Sequence, residues 1–162
     1  MARSLGLNVM GWVVHRPGGT SVSTTATRAN AIGIPRYSET YRCEEESSRR
    51  ARQLVMAALH AWGLDTLAED AALVTAELVA NAVRHSGSRM LRVSVARPRE
   101  GLVRVAVAEK SRQLPVVRDP TPKESSGRGL LLVSVLADRW NTDLRRWGKV
   151  VWAELGTDGE KA

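Results

Sequence analysis

The sequence has a single cysteine, Cys43, no phenylalanine, and histidines only at positions 15, 60 and 85, far from one another. One cysteine excludes an internal disulfide and suits a reducing, cytoplasmic setting. Isolated histidines, with no Cys/His spacing of the zinc type, argue against a metal cage built from protein alone. His85 directly follows Arg84 and reads as a cap on the end of a helix rather than as a catalytic group. Apolar runs such as residues 129–133 fall far short of the roughly 18 residues of a membrane span, so no membrane is expected. The start of the chain carries Arg3 but no sustained apolar run before a small-residue cleavage site, and it is not read as a secretory signal. Three catalytic patterns are also missing. Neither G-x-x-x-x-G-K-[ST] nor a full G-x-G-x-x-G occurs, against a P-loop enzyme and a Rossmann dehydrogenase, and there is no G-x-S-x-G elbow.

Acidic residues are absent from residues 1–37, where Arg3, Arg16, Arg28 and Arg36 supply +4 of the formal net charge of +7, leaving +3 for the rest. The arginines are scattered and aromatics make up only 4% of the chain. A nucleic-acid surface gathers its charge into a stripe with aromatics for stacking, so nucleic-acid binding rests here on charge alone and is disfavoured.

What is present is enough chain, 162 residues, for one domain with a real core. A Ser/Thr-rich stretch at 20–27, with Gly18, Gly19, Gly33, Pro17 and Pro35 around it, has little apolar surface to bury. Residues 1–37 are therefore expected to form a flexible or loosely packed extension, the apolar run at 9–14 with Trp12 excepted. The domain itself is placed at 38–156 and a C-terminal tail at 157–162. On this reading, removing residues 1–37 leaves stability nearly unaltered.

Periodicity from residue 38 onward predicts a short edge strand at 39–43, then a helix capped by Ser47 or Ser48. That helix buries Leu54, Val55, Ala58, Leu59 and Trp62 and ends at Gly63. A second helix is predicted over about 66–84, closed by Ser86-Gly87. Alternation at Leu91, Val93 and Val95, then at Val103, Val105 and Val107, predicts an antiparallel hairpin. Residues 109–127, with Pro115, Pro120 and Pro122, form an irregular segment of the length typical of functional lids or disorder. A helix at 129–138 and a hairpin of 140–144 with 150–155, turning near Trp147-Gly148, complete the order. Helices set apart from such strands make an α+β fold, a two-layer α/β sandwich with a mixed, mostly antiparallel sheet and helices on one face.

On the second helix, Glu77, Asn81 and Arg84 fall within roughly 60° of one another at 3.6 residues per turn. Most other directions are apolar, which implies burial on most sides. Polar groups buried without partners cost several kcal/mol. The stripe is then either a solvated strip in which Glu77 pairs with Arg84, or a site where Glu77 and Asn81 face a hydrated cation and a polyphosphate. Magnesium favours oxygen ligands and keeps several waters, which suits the second alternative. Farther on, Ser125-Ser126-Gly127-Arg128-Gly129-Leu130 sets two glycines at the start of an apolar helix. Backbone amides there attract phosphate, and Arg128 adds charge, although Gly-x-Gly before a helix is often only a turn.

Taken in order, Glu77-Leu78-Val79-Ala80-Asn81-Ala82-Val83-Arg84-His85-Ser86, then Gly127-Arg128-Gly129-Leu130, then Gly148-Lys149-Val150-Val151-Trp152 resemble the GHKL ATPases. More narrowly, they resemble the anti-sigma-factor serine kinases and the related ATP-binding regulatory proteins of actinobacteria. The resemblance covers about residues 38–156, and its first motif is the most specific. It implies the Bergerat fold with ATP and Mg2+ as cofactors: Asn81 as the magnesium ligand, Glu77 as general base, and residues 109–127 as adenine contact and lid. The nucleotide-binding set it implies is Asn81, Arg84, Glu109, Ser111, Gly127, Arg128, Gly129, Leu130 and Lys149. Two positions depart from the pattern. Glu109 stands where an aspartate usually accepts from the adenine amine, and Val150 stands where a threonine is common. The added methylene is expected to displace or weaken the adenine contact.

The function implied is that of a protein serine kinase acting on an antagonist protein and binding a sigma factor, with a homodimer as a common assembly among such relatives. The alternative is a non-catalytic module, with weak or lost nucleotide binding, that sequesters a sigma factor or another partner.

Overall fold

The computed structural model describes residues 33–115 and 128–157, with the backbone alone at Arg128. The apolar run at 9–14, the part of the expected lid from 116 to 127 including Gly127, and the tail beyond 157 lie outside the described residues. The elements are β1 (Arg36–Arg42), α1 (Glu46–Ala61), α2 (Asp65–His85), β2 (Met90–Arg99), β3 (Leu102–Glu109), α3 (Arg128–Leu136), β4 (Arg139–Arg145) and β5 (Gly148–Gly156). The strands form one sheet in the order β1-β2-β3-β5-β4. Every pairing among the described residues is antiparallel, so the parallel pair allowed for by a mixed sheet is not found there.

Alternation fixes which face each strand buries. Val93 pairs with Val107 and Val95 with Val105, while Val107 and Val105 pair with Val151 and Ala153 on β5. All of these are buried in one core with Leu59, Val74, Leu78 and Val79 of the helices. β-Branched side chains fit a pleated, half-buried surface, and each fully buried valine or leucine contributes about 1.5–3 kcal/mol over an exposed one. Gly101, at φ 69°, makes the β2–β3 turn in the left-handed region that glycine enters without steric cost.

Helix α1 starts differently from expectation. Ser47 is not its cap; its hydroxyl donates to the Arg42 carbonyl at 2.6 Å, tying the helix start to the end of β1, and Glu45 occupies the cap position without a side-chain hydrogen bond. Gly63 does close α1, donating its N–H to the His60 carbonyl at 3.1 Å. α2 is enclosed by α1, α3, β3 and β5. On its inner sides Ala68, Ala71, Ala72, Val74, Leu78 and Val79 are buried, and Thr75 satisfies its hydroxyl on the Ala71 carbonyl at 2.7 Å. On the opposite face of the sheet, Trp152 lies 4.0 Å beneath the Arg104 guanidinium, and Glu154 pairs with Arg104 and Arg139 at 3.1 and 2.5 Å.

β1 begins ahead of the boundary read at residue 38. Arg36 and Tyr37 pair with Ala96 and Val95, and the Tyr37 ring packs on Trp62 with centroids 5.5 Å apart. Such an aromatic pair contributes about 0.5–1.5 kcal/mol beyond its buried area. A chain starting at residue 38 should therefore unfold at lower urea than one starting at residue 33, with a loss of about 1–2 kcal/mol. Equal midpoints would show that these two residues add nothing to the domain.

Candidate functional site

The polar stripe of α2 lies where the helix meets α3. Glu77 and Asn81 are half-buried and Arg84 is exposed near the helix end. Among the described residues none of the three has a hydrogen-bond or ion-pair partner, and the Glu77–Arg84 pair that would make the stripe a plain solvated strip is not formed. The start of α3 comes so close that a Cβ built on Gly129 would lie 2.5 Å from Glu77 Oε2. Glycine is thus what lets the first turn of α3 press against this carboxylate. That turn carries backbone N–H groups with no intrahelical acceptor, and these, with the helix dipole, favour an anion. Leu130, the next residue, is buried in the core with Val133. Its side chain anchors α3 in that core.

The other predicted positions gather at the end of the sheet. Glu109 and Lys149 are direct cross-strand partners on β3 and β5, and Lys149 Nζ lies 2.9 Å from Glu109 Oε1. Their side chains are only 2% and 3% exposed. Lys149 also donates to the Gln113 carbonyl, while Glu109 Oε2 has no partner. Ser111 is half-buried and accepts from the Gln113 N–H at 3.2 Å, so its hydroxyl shapes the turn that follows β3. The close approach of the strands depends on Gly148, where a Cβ would overlap the Glu109 carbonyl and lie 2.7 Å from Lys110 Cα.

A cavity of about 980 Å³ opens beside this end of the sheet, lined among the described residues by Arg42, Cys43, Glu44, Met90, Lys110 and Ser111, with the 86–89 turn. It sits at the C-terminal end of α2; Glu77, Asn81 and Gly129 are not among its lining residues. Sequence reasoning picked out Glu109 and Lys149 separately but not as partners, because their pairing depends on the register of two strands that are not consecutive. Nothing in the sequence marked Arg42, Cys43 or Met90.

Residues 42–155 match the family of histidine kinase-like ATPase domains. The chain belongs to this family. Its α+β architecture, with the helices on one side of an antiparallel sheet, is that of a GHKL domain. No curated protein matches it. Among solved structures it is similar to the RsbU and RsbW domains of Rv1364c from Mycobacterium tuberculosis, with a TM-score of 0.56 at 19% identity. The match takes in 74% of this chain and 32% of that one, and at this identity it is a likeness of fold.

Within this histidine kinase-like ATPase domain the two glycines should respond differently to alanine. Gly148→Ala drives a methyl into backbone and should cost about 1–3 kcal/mol, as overpacking usually does. Gly129→Ala meets only the mobile end of Glu77, and alanine's better helix propensity offsets about 0.8–1 kcal/mol, so stability should change by less than about 1 kcal/mol. Urea unfolding of both variants decides this; a Gly129→Ala loss as large as that of Gly148→Ala would mean that Glu77 cannot yield.

Proposed function

We propose that this domain binds ATP with a magnesium ion and acts in the cytoplasm as an anti-sigma-factor-type protein serine kinase. In this reading it phosphorylates an antagonist protein and sequesters a sigma factor. The observation that carries it is the position of Glu77 and Asn81 on one face of α2, without a hydrogen-bond or ion-pair partner among the described residues, with the Glu77 carboxylate against the first turn of α3. Family membership and the fold-level likeness to a structure with an RsbW domain support the same assignment.

The residues fit the ligands. Asn81 presents a carboxamide oxygen of the kind magnesium accepts, and no cluster of three or more His, Cys, Asp or Glu among the described residues competes for the ion. The amides opening α3, with Arg84 exposed at the end of α2, suit the phosphates. Bound ATP supplies the transferable phosphoryl group. Glu77 is the one acid on the stripe, placed to accept the proton of an incoming serine hydroxyl as that bond forms. The non-catalytic alternative is favoured by one observation, that Glu109 and Lys149 already bond to each other at the position matched to the adenine contact. It requires partner capture without nucleotide.

Asn81→Ala should abolish the magnesium dependence of ATP affinity and leave circular dichroism unchanged; an unchanged magnesium dependence removes Asn81 from the site. Glu77→Gln should lower labelled-phosphate transfer to co-encoded antagonist proteins by roughly 10²–10⁴ with ATP affinity little altered. A wild type that binds ATP but phosphorylates none of them favours the sequestering module, and a fully active Glu77→Gln excludes Glu77 as the base.

A further inference from the structure

The face of the sheet turned away from the helices collects arginines that are scattered along the chain. Register aligns Arg36, Ala96, Arg104, Glu154 and Arg139 in one row across all five strands. Arg92 and Asp143 stand in a parallel row four residues farther on, and Arg42 and Arg145 in the row at the sheet end. These rows therefore present six arginines against two acids. Arg104 and Arg139 share Glu154, and Arg145 lies 3.8 Å from Asp143. Arg36, Arg42 and Arg92 have no ion pair among the described residues, and the bond from Arg92 to the Ser38 hydroxyl at 3.0 Å neutralises no charge. All three are exposed, whereas Ala106, Ala108, Val150 and Trp152 beside them form a half-buried, largely apolar floor. An antiparallel sheet commonly leaves one face to water. A face that meets only water gains nothing from carrying one sign of charge, which repels itself and attracts a partner of the opposite sign.

The rest of the chain does not carry the missing negative charge. Residues 1–32 hold three arginines and no acid, 116–127 two acids and two bases, and 158–162 two acids and one lysine. We propose that this face docks an acidic, amphipathic segment of a partner protein, its carboxylates meeting Arg36, Arg42 and Arg92 and its apolar side resting on Ala106, Ala108 and Val150. The three unpaired arginines stand along β1 and β2 over about 20 Å, six residues of strand, and each planar guanidinium can take a carboxylate through two parallel hydrogen bonds. The alanines leave room for the segment to lie close to the sheet. Nucleic acid suits the face less well, because single strands stack their bases on open aromatic rings. Trp152 is the one aromatic of these rows, and the Arg104 guanidinium covers it at 4.0 Å. The surface lies on the other side of the sheet from Glu77 and Asn81, so the proposal does not depend on nucleotide binding.

The test is fluorescence anisotropy of the full chain with three labelled probes: an amphipathic peptide of Glu, Ala and Leu, the same peptide with Gln for Glu, and a single-stranded oligo-dT. The acidic peptide should bind about tenfold or more tightly than the neutral one, and that preference should shrink severalfold as salt rises and screens the charges. Arg36→Glu/Arg92→Glu should weaken the acidic peptide by about tenfold or more. Arg49→Glu/Arg52→Glu makes the same change in net charge on α1 and should leave its affinity within about twofold. Wild-type backbone amide resonances of Ala106, Ala108, Val150 and Trp152 should shift as the acidic peptide is added, a readout that stands if the face variant does not fold. Equal weakening by the two double variants, or shifts confined to α1 and α2, would overturn the proposal. So would tighter binding of oligo-dT than of the acidic peptide, which would make the face a nucleic-acid surface. Self-association of the chain that Arg36→Glu/Arg92→Glu abolishes would assign the face to a second copy and likewise overturn it.

Discussion

Helix α2 is enclosed by α1, by α3 and by strands β3 and β5, and this crowding governs what the site can be. A helix packed on so many sides has almost no direction left for charged groups, since burying one without a partner costs several kcal/mol. Glu77, Asn81 and Arg84 occupy the direction that remains. The gap there is narrow because Gly129 lets α3 approach the Glu77 carboxylate without an intervening side chain. Apolar packing on either side, through Leu78 and Val79 on α2 and Leu130 and Val133 on α3, holds the two walls in place. The first turn of α3, whose leading amides have no intrahelical acceptor, thus lies directly beside the Glu77 carboxylate.

The sheet contributes the second fixed edge. Register between β3 and β5 places Glu109 opposite Lys149, and Gly148 allows the strands to close at that point. The result is a polar pair at the end of a face built mostly of valine, alanine and leucine. The two polar groupings thus stand on different elements, α2 with α3 on one hand and β3 with β5 on the other. α2 contacts both strands and so ties the two ends together. The opposite face of the sheet is arranged differently: Arg104 and Arg139 share Glu154 and lie over Trp152, which satisfies their charge locally.

Elsewhere, local pairs satisfy individual polar groups. The buried Tyr41 hydroxyl donates to Glu39 Oε2 at 2.8 Å, and burial, reinforced by that carboxylate, pushes the phenol upward so that it remains a donor. His60 bonds Asp65 across the α1–α2 connection and holds the aspartate carboxyl below its ordinary value. The first bond lies within β1 and the second links the end of α1 to the start of α2, and neither belongs to the site.

Much of this was legible in the chain because the signals are local. The 3.6-residue period of α2, the two-residue alternation of Val93, Val95, Val105 and Val107, and the glycines at 63 and 101 each reflect backbone geometry within a short window. The stripe of Glu77 and Asn81 follows from the same helical period, so one wall of the candidate site could be named before any fold was known. Contacts between distant segments were not legible. Ser47 bonds back to β1 instead of capping α1, β1 starts at Arg36 because β2 has residues to pair with it, and Leu130 turns into the core. The ion pair between Glu109 and Lys149 likewise depends on two strands separated by a loop, a helix and a further strand, whose register is chosen by the packing of the whole sheet. Residue type and spacing therefore determined which groups face outward from each element; only tertiary packing decided which of them meet, because hydrophobic burial is non-directional and its solution depends on every element at once.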